Sequence, residues 1–461
     1  MFSAAAAWTL VVGGAAIWRH REFLSRRYDL GNMVQAVWST AHGRPLEMTD
    51  AASGQEIVRL GAHVDPILAL FAPFVWVVST PELLLGAQAA VLASGIYPAV
   101  RLALEHTGSR LVASLVGAWY LAFPWIVWNA FDEFHPVTLA IALLLYAIWF
   151  LDNDRLVAFA VAAGLAVLCG ELIGLTVAGL GVWYAVHHRR YASGAGIALA
   201  GAGWTALCIA VIVPRFNEGN PSRFYDRFEG IGGSPRGVLE TLLTDPALVL
   251  AELTERGDIR NALWLLAPTA FLAVLTPILL VAALPQLGVN LLAEWASAAL
   301  PMFHYSAAII PVIVAATIMG LGRLGPRGQV AAAGAALAVS VSFMAVYPPR
   351  PGAQVFIFPE RFPSERRKAM RAALELVPAG APVSATNRLG AHLSERRTIQ
   401  LFPELRRAEW AIVDTRNPWL PEGGERADRR AFAEKVARLA RDPDWRLRFD
   451  EHGVRVYERV G

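Results

Sequence analysis

Cysteine is almost missing from this chain: Cys169 and Cys208 are the only two, and both lie inside apolar runs. That excludes a disulfide framework, and two buried thiols without ligand spacing are packing residues, not a metal centre. Charge is scarce as well, at 17% of residues with a formal net charge of +3. The basic residues fall between apolar runs instead of forming one surface, so no nucleic-acid partner is expected. The N-terminus lacks a basic leader and a small-residue cleavage site, so residues 2–18 read as an uncleaved first span, with a cleaved signal peptide as the alternative. The polar C-terminal segment holds no glycine-rich phosphate loop, nucleophile elbow or paired zinc-ligand motif. No inverted repeat or pair of broken helices is legible.

What the chain has in abundance is apolar length. Hydrophobic residues make up 55% of it, and the mean hydropathy is +0.42. They recur in runs of about 16–22 residues, the length that crosses a hydrocarbon core. Such runs occupy 83–102, 111–128, 136–151, 156–169, 172–186, 194–213, 262–283, 284–299, 307–321 and 330–346. Residues 62–78 are also apolar but contain His63, Asp65, Pro66 and Pro73, which suits an interfacial or re-entrant segment. Arg101 with Arg110, Arg155, the His187-His188-Arg189-Arg190 run and Arg323 with Arg327 form short basic connections. Placed in the cytoplasm, they predict about eleven spans with the N-terminus inside and the C-terminus outside. Arg19, Arg21, Arg26 and Arg27 then fall outside, against the rule.

The expected fold is mainly α: a polytopic membrane helix bundle with a C-terminal soluble α/β domain. The membrane domain is expected over 1–349, with external loops at 19–81 and 214–261, and the extracytoplasmic domain over 350–461. Within the tail, the pattern predicts helices at 364–377 (capped by Ser364), 388–395 and 427–440. Strands are expected at 382–385, 398–402 and 410–414, and a hairpin over 445–460 turns at His452-Gly453.

This topology gathers the unusual polar groups on one side of the bilayer. Asp29 precedes Leu30, Met33, Val34, Val37 and Trp38, which recur at helical spacing and predict an amphipathic surface helix. Asp29 is either its N-cap, worth about 1 kcal/mol, or a general base or ion-holding carboxylate at the membrane surface. Arg26 and Arg27 suit a lipid phosphate or any headgroup. Asp132, Glu133 and His135 share one turn flanked by Phe131, Phe134 and Pro136. Their ligand types suit magnesium or manganese, with a polar interhelical turn as the plain alternative. Glu171 lies between two short apolar runs, either a carboxylate at membrane depth or part of a wet turn. His63 and Asp65 are two apart, which on a helix would not share a face. His304 and Tyr305 precede a span and suit substrate binding or an interfacial anchor. Arg215, Arg223, Arg227 and Arg236 lie in the long loop beside Gly230 to Gly233, as a phosphate clamp or a solvated loop.

The motifs Tyr28-Asp29-Leu30-Gly31-Asn32, Gln35-Ala36-Val37-Trp38 and Gly61-Ala62-His63-Val64-Asp65-Pro66 resemble those of a bacterial and archaeal family of predicted membrane proteins of unknown function. Gln88, Phe131-Asp132-Glu133-Phe134-His135-Pro136, Glu171, His304-Tyr305 with Pro311, and His392-Leu393-Ser394-Glu395-Arg396-Arg397 extend the resemblance along nearly the whole chain. Glu171 stands alone in Gly170-Glu171-Leu172, where relatives carry a basic-acidic-acidic triplet. The family looks related to the GT-C superfamily of glycosyltransferases that use polyprenyl-phosphate sugars and carry a catalytic Asp in the first external loop. The resemblance therefore implies Asp29 as catalytic residue. Arg26, Arg27, His63, Asp65, Arg223, His304 and Tyr305 are expected to bind substrate, and Asp132, Glu133, His135 and Glu171 to hold Mg2+ or Mn2+. The implied partners are membrane lipids, a polyprenyl-phosphate sugar donor and a glycan, lipid or protein acceptor at the bacterial plasma membrane. A transporter or lipid-translocating protein is the alternative from another class, and a membrane scaffold displaying the tail is a third.

Overall fold

The computed structural model describes the chain except residues 256–257, 347–361, 417–425 and 461, so the expected domain boundary at 349/350 lies outside the described residues. Contacts divide the chain into two compact units: Met1–Gly13, Leu60–Ile67 and Ala87–Ile357 form one, and Gly14–Arg59, Leu68–Gly86 and Phe358–Gly461 the other. The second unit therefore collects the residues around Asp29 with the tail.

The apolar helices are α1 (Phe2–Arg21), α3 (Thr80–Thr107), α4 (Arg110–Phe131), α5 (Pro136–Asp152), α6 (Leu156–Val167), α7 (Ile173–His187), α8 (Tyr191–Phe216), α9 (Pro277–Leu292), α10 (Ile310–Leu321) and α11 (Pro326–Ala345). The short α2 (Asn32–Ala41) follows α1. Among the described residues α1, α3, α4, α8 and α11 are long and apolar enough to cross a membrane, and the other five apolar helices are shorter. Turn chemistry sets the breaks. Gly108 ends α3 at φ 63°, a left-handed cap that suits glycine, and Ser109 Oγ accepts the Val112 N–H to start α4. Pro136 opens α5 at the first turn, where a missing N–H costs nothing.

Two expected runs do not form two straight helices. Residues 262–299 divide into α and 3-10 pieces, α9 among them; Pro268 and Pro277 cannot continue the preceding helix, and Ala270 and Phe271 turn left-handed at φ 49° and 57°. Residues 62–78 form no span either. They contain the 3-10 helix Pro66–Phe74, interrupted by Pro73, and expose Leu70, Phe74, Trp76 and Val77. An exposed apolar row on a segment too short to cross fits an interfacial position.

Small residues let α7 and α8 pack closely. A Cβ at Gly174 would stand 2.3 Å from the Gly201 carbonyl oxygen, and one at Gly181 would stand 2.5 Å from the Ala198 nitrogen. Backbones at that approach gain dispersion contact that lipid does not supply.

In the second unit, β1 (Glu47–Thr49) and β2 (Glu56–Val58) form a small antiparallel ladder. The tail supplies α12 (Ser364–Glu375), β3 (Val383–Ala385), α13 (Asn387–Ala391), β4 (Ile399–Leu401), β5 (Trp410–Asp414), α14 (Arg426–Leu439), β6 (Trp445–Glu451) and β7 (Val454–Arg459). The sheet order is β4-β3-β5-β7-β6, parallel over β4-β3-β5 and antiparallel from β5 onward. Strand alternation builds two cores: Ile412 and Val456 face Met370 and Leu389, whereas Ala411, Val413 and Tyr457 face Phe432 and Val436. Ser364 does not cap α12; it is the first helical residue, after a Pro363 N-cap without a side-chain bond.

Candidate active site

Asp29 is not a helix cap. Residues Arg27–Gly31 already form a wide helical turn, with Arg26 as its N-cap and Gly31 as the N-cap of α2. Asp29 Oδ2 lies 3.4 Å from Arg26 Nε, and both side chains keep partial exposure.

Arg27 has the opposite fate. It is fully buried, and its guanidinium donates to Asn32 Oδ1, to Gln35 Oε1 at 2.8 Å, to the Thr49 carbonyl at 2.7 Å and to the Ile399 carbonyl at 3.3 Å. A guanidinium fully buried and bonded to protein acceptors through both terminal nitrogens is out of reach of a lipid phosphate, so the substrate role expected for Arg27 is replaced by a structural one. Burial pulls its pKa down to about 9, partly offset by the Asp50 carboxylate. The tail builds the same bracket. Asn387 Oδ1 accepts the Tyr28 N–H at 2.8 Å, Gln35 Nε2 donates to the Arg397 carbonyl at 2.8 Å, and Glu395 accepts the Thr80 N–H at 2.8 Å at the start of α3.

In the first unit, Glu171 sits in the turn between α6 and α7. Its Oε1 is 3.2 Å from His63 Nδ1, and its Oε2 accepts the Val64 N–H at 3.1 Å. Burial opposes its charge, yet these bonds hold the carboxyl down at about 2. His63 also stacks on Phe224, with ring centroids 4.5 Å apart. Residues 63–65 are not helical, so the helical-face argument against His63 and Asp65 does not apply. Asp65 is buried, and two residues on the Ile67 N–H donates to the Leu168 carbonyl at 3.1 Å.

The 131–135 turn and His304 form the second group. Asp132 Oδ2 lies 3.1 Å from His304 Nδ1 and accepts the His304 N–H at 3.1 Å. The His135 and His304 rings stack at 3.7 Å and 12°. Asp132, His135 and His304 offer ligand atoms within 4.8 Å of one another. Glu133 and Glu171 are not in that set; Glu133 is buried at φ 57°. Buried Gln88 explains how such a backbone persists: its Nε2 donates to the Glu133 carbonyl at 2.6 Å, and its Oε1 accepts the His135 N–H at 3.1 Å. Behind His304, Gln286 donates to Asn290, which donates to the Tyr305 carbonyl at 2.9 Å.

Two of the loop arginines, Arg227 and Arg236, meet separate partners. Arg227 lies over the Phe224 and Trp295 rings, and Arg236 pairs with Glu240. Arg223 opens the 3-10 helix Arg223–Ile231, and its side chain lies outside the described residues.

A family model described as "Predicted membrane protein (DUF2079)" matches residues 19–429. The chain belongs to the DUF2079 family. As a family member with this set of apolar helices it is a multi-pass membrane protein. No curated protein matches its sequence. Among solved structures, this DUF2079 chain is similar to ArnT from Cupriavidus metallidurans bound to undecaprenyl phosphate. The TM-score is 0.56 at 14% identity, covering 99% of each chain. The apo state of the same protein matches with a TM-score of 0.52 at 14% identity, covering 99% of this chain and 98% of that one. The fold is ArnT-like over 99% of the chain.

Proposed function

We propose that this protein is an integral-membrane glycosyltransferase that moves a sugar from a polyprenyl-phosphate donor to an acceptor at the external membrane face. The whole-chain likeness to a structure holding undecaprenyl phosphate carries the reading; Asp29, partly exposed and held by Arg26, supplies the base. In the step, the Asp29 carboxylate takes the acceptor hydroxyl proton as the oxygen bonds to the anomeric carbon. The bond from that carbon to the phosphate oxygen breaks, and polyprenyl phosphate departs with the electron pair. The donor set Asp132, His135 and His304 fits a divalent cation, and two imidazoles weight it toward manganese over magnesium. A bound cation at these residues would supply positive charge that a phosphate group can meet. His63, Asp65 and Tyr305 are assigned to substrate contact, Glu171 and Glu133 to shaping the site, and residues 350–461 to an extracytoplasmic position.

The test uses the full chain in lipid nanodiscs with a panel of polyprenyl-phosphate sugars. Release of polyprenyl phosphate should depend on the lipid sugar and fall by about 10²–10⁴-fold in Asp29→Asn, the usual contribution of a general base. Unchanged release in that variant removes Asp29 from the reaction. Lipid or solute movement without sugar consumption removes the transferase reading altogether.

A further inference from the structure

We infer that the chain binds a zinc ion at the far end of α5 from the His135 turn, through Asp152, His187 and His188. These three side chains offer ligand atoms that all lie within 4.8 Å of one another. Tetrahedral zinc with bonds near 2.1 Å separates its ligands by roughly 3.4 Å, so small side-chain adjustments close the set. Two imidazoles and a carboxylate suit zinc better than a hard cation such as magnesium.

Independent observations point to a ligand there. The Nε2 atom of His188 is buried and has no hydrogen-bond partner among the described residues, and an orphaned imidazole nitrogen is costly unless something occupies it. His106 Nε2 lies 2.8 Å from Asp152 Oδ2, the outer contact that orients a metal-bound carboxylate. The rings are braced: His187 stacks on Trp183 with centroids 5.4 Å apart, and His188 lies 4.9 Å from the Tyr184 ring.

The backbone adds to this. His106 is in the last turn of α3, Asp152 is the last residue of α5 and His187 the last of α7. Three helix C-termini present their partial negative charge to one place, which favours a cation. Two nearby arginines have carboxylates of their own: Arg190 pairs with Asp154 at 3.2 Å, and Arg101 with Glu105 at 3.1 Å. Seventeen residues of α5 separate this cluster from the His135 turn, roughly 25 Å at helical rise. The ion would tie the ends of α5 and α7 directly and that of α3 through His106.

The experiment uses the full chain, purified with a histidine-free tag, stripped with chelator and loaded with Zn2+. Bound zinc is counted by mass spectrometry, and Co2+ substitution is read in the visible spectrum. The His187→Ala/His188→Ala variant should lose one zinc equivalent that an Asp132→Asn/His304→Gln variant retains. His106→Gln should keep the site but weaken zinc binding about 10–100-fold. Asp152→Asn, close in shape, should lose the ion while eluting on gel filtration as wild type does. Wild-type protein without zinc, or equal zinc content and Co2+ spectra in wild type and the His187/His188 variant, overturns the inference.

Discussion

Removing the Glu171 carboxylate tests how the turn between α6 and α7 holds residues 63–65. Glu171→Ala deletes the acceptor of the buried Val64 N–H at 3.1 Å and the partner of His63 Nδ1 at 3.2 Å. The backbone N–H left in a protein interior costs about 1–3 kcal/mol. The His63 pair adds less, about 0.5–1 kcal/mol, because the His63 side chain is 40% exposed. Together they predict a loss of about 1.5–4 kcal/mol. Thr205 still donates to the Glu171 carbonyl at 2.8 Å in the variant, so the turn keeps its backbone anchor and the loss reports the carboxylate alone. Glu171→Gln retains one oxygen for Val64 and should cost about half as much. Denaturant unfolding of the full chain in one detergent measures these values, and a cycle with His63→Ala should give a coupling of about 0.5–1 kcal/mol. Additive effects, or a Glu171→Ala variant within about 0.5 kcal/mol of wild type, would refute the pairing as the structural anchor.

Other perturbations separate structural from chemical roles. Arg27→Met leaves the Gln35, Thr49 and Ile399 acceptors without their donor and should cost about 3–5 kcal/mol, read as a lower unfolding midpoint; equal stability would show that these bonds contribute nothing. His392 stacks on His20 at 4.2 Å, and burial, then His20 and Arg371, push its pKa well below 6.5. It folds neutral while the unfolded chain takes a proton, so stability is full above about pH 6.5 and falls as pH drops through it. Unfolding midpoints across that range should flatten in His392→Phe, and an unchanged slope would exclude His392 as the source. Gly181→Val places side-chain atoms where the Ala198 nitrogen is already 2.5 Å from a Cβ. It should lower the thermal midpoint by several degrees, whereas Gly196→Ala, with nothing within 4 Å of its Cβ, should leave it unchanged.

Local patterning carried much of the reading. Apolar run length and composition alone identify a membrane protein, and period-2 alternation with a turn at His452-Gly453 marks the β6–β7 hairpin. Proline positions were legible too, but the left-handed Ala270 and Phe271 that complete the break in 262–299 carry no residue signature. Polar residues set between apolar runs point to Asp132, His135 and Glu171, and the family resemblance implies Asp29. Neither could say what each meets, because hydrogen-bond partners are chosen by packing across long sequence separations. His304 joins Asp132 from 172 residues away, Glu171 reaches His63 across 108, and Arg27 meets the Ile399 carbonyl across 372. Adjacent Arg26 and Arg27 look interchangeable in sequence. One sits partly exposed beside Asp29, and the other is sealed under the tail. His187 and His188 read as a basic connection until the ends of α3, α5 and α7 set them beside Asp152. Hydropathy is a property of each segment and so is written in the sequence. The chemistry of a polar side chain depends on which acceptors and donors the folded chain brings within 3 Å or so of it, and only the tertiary structure decides that.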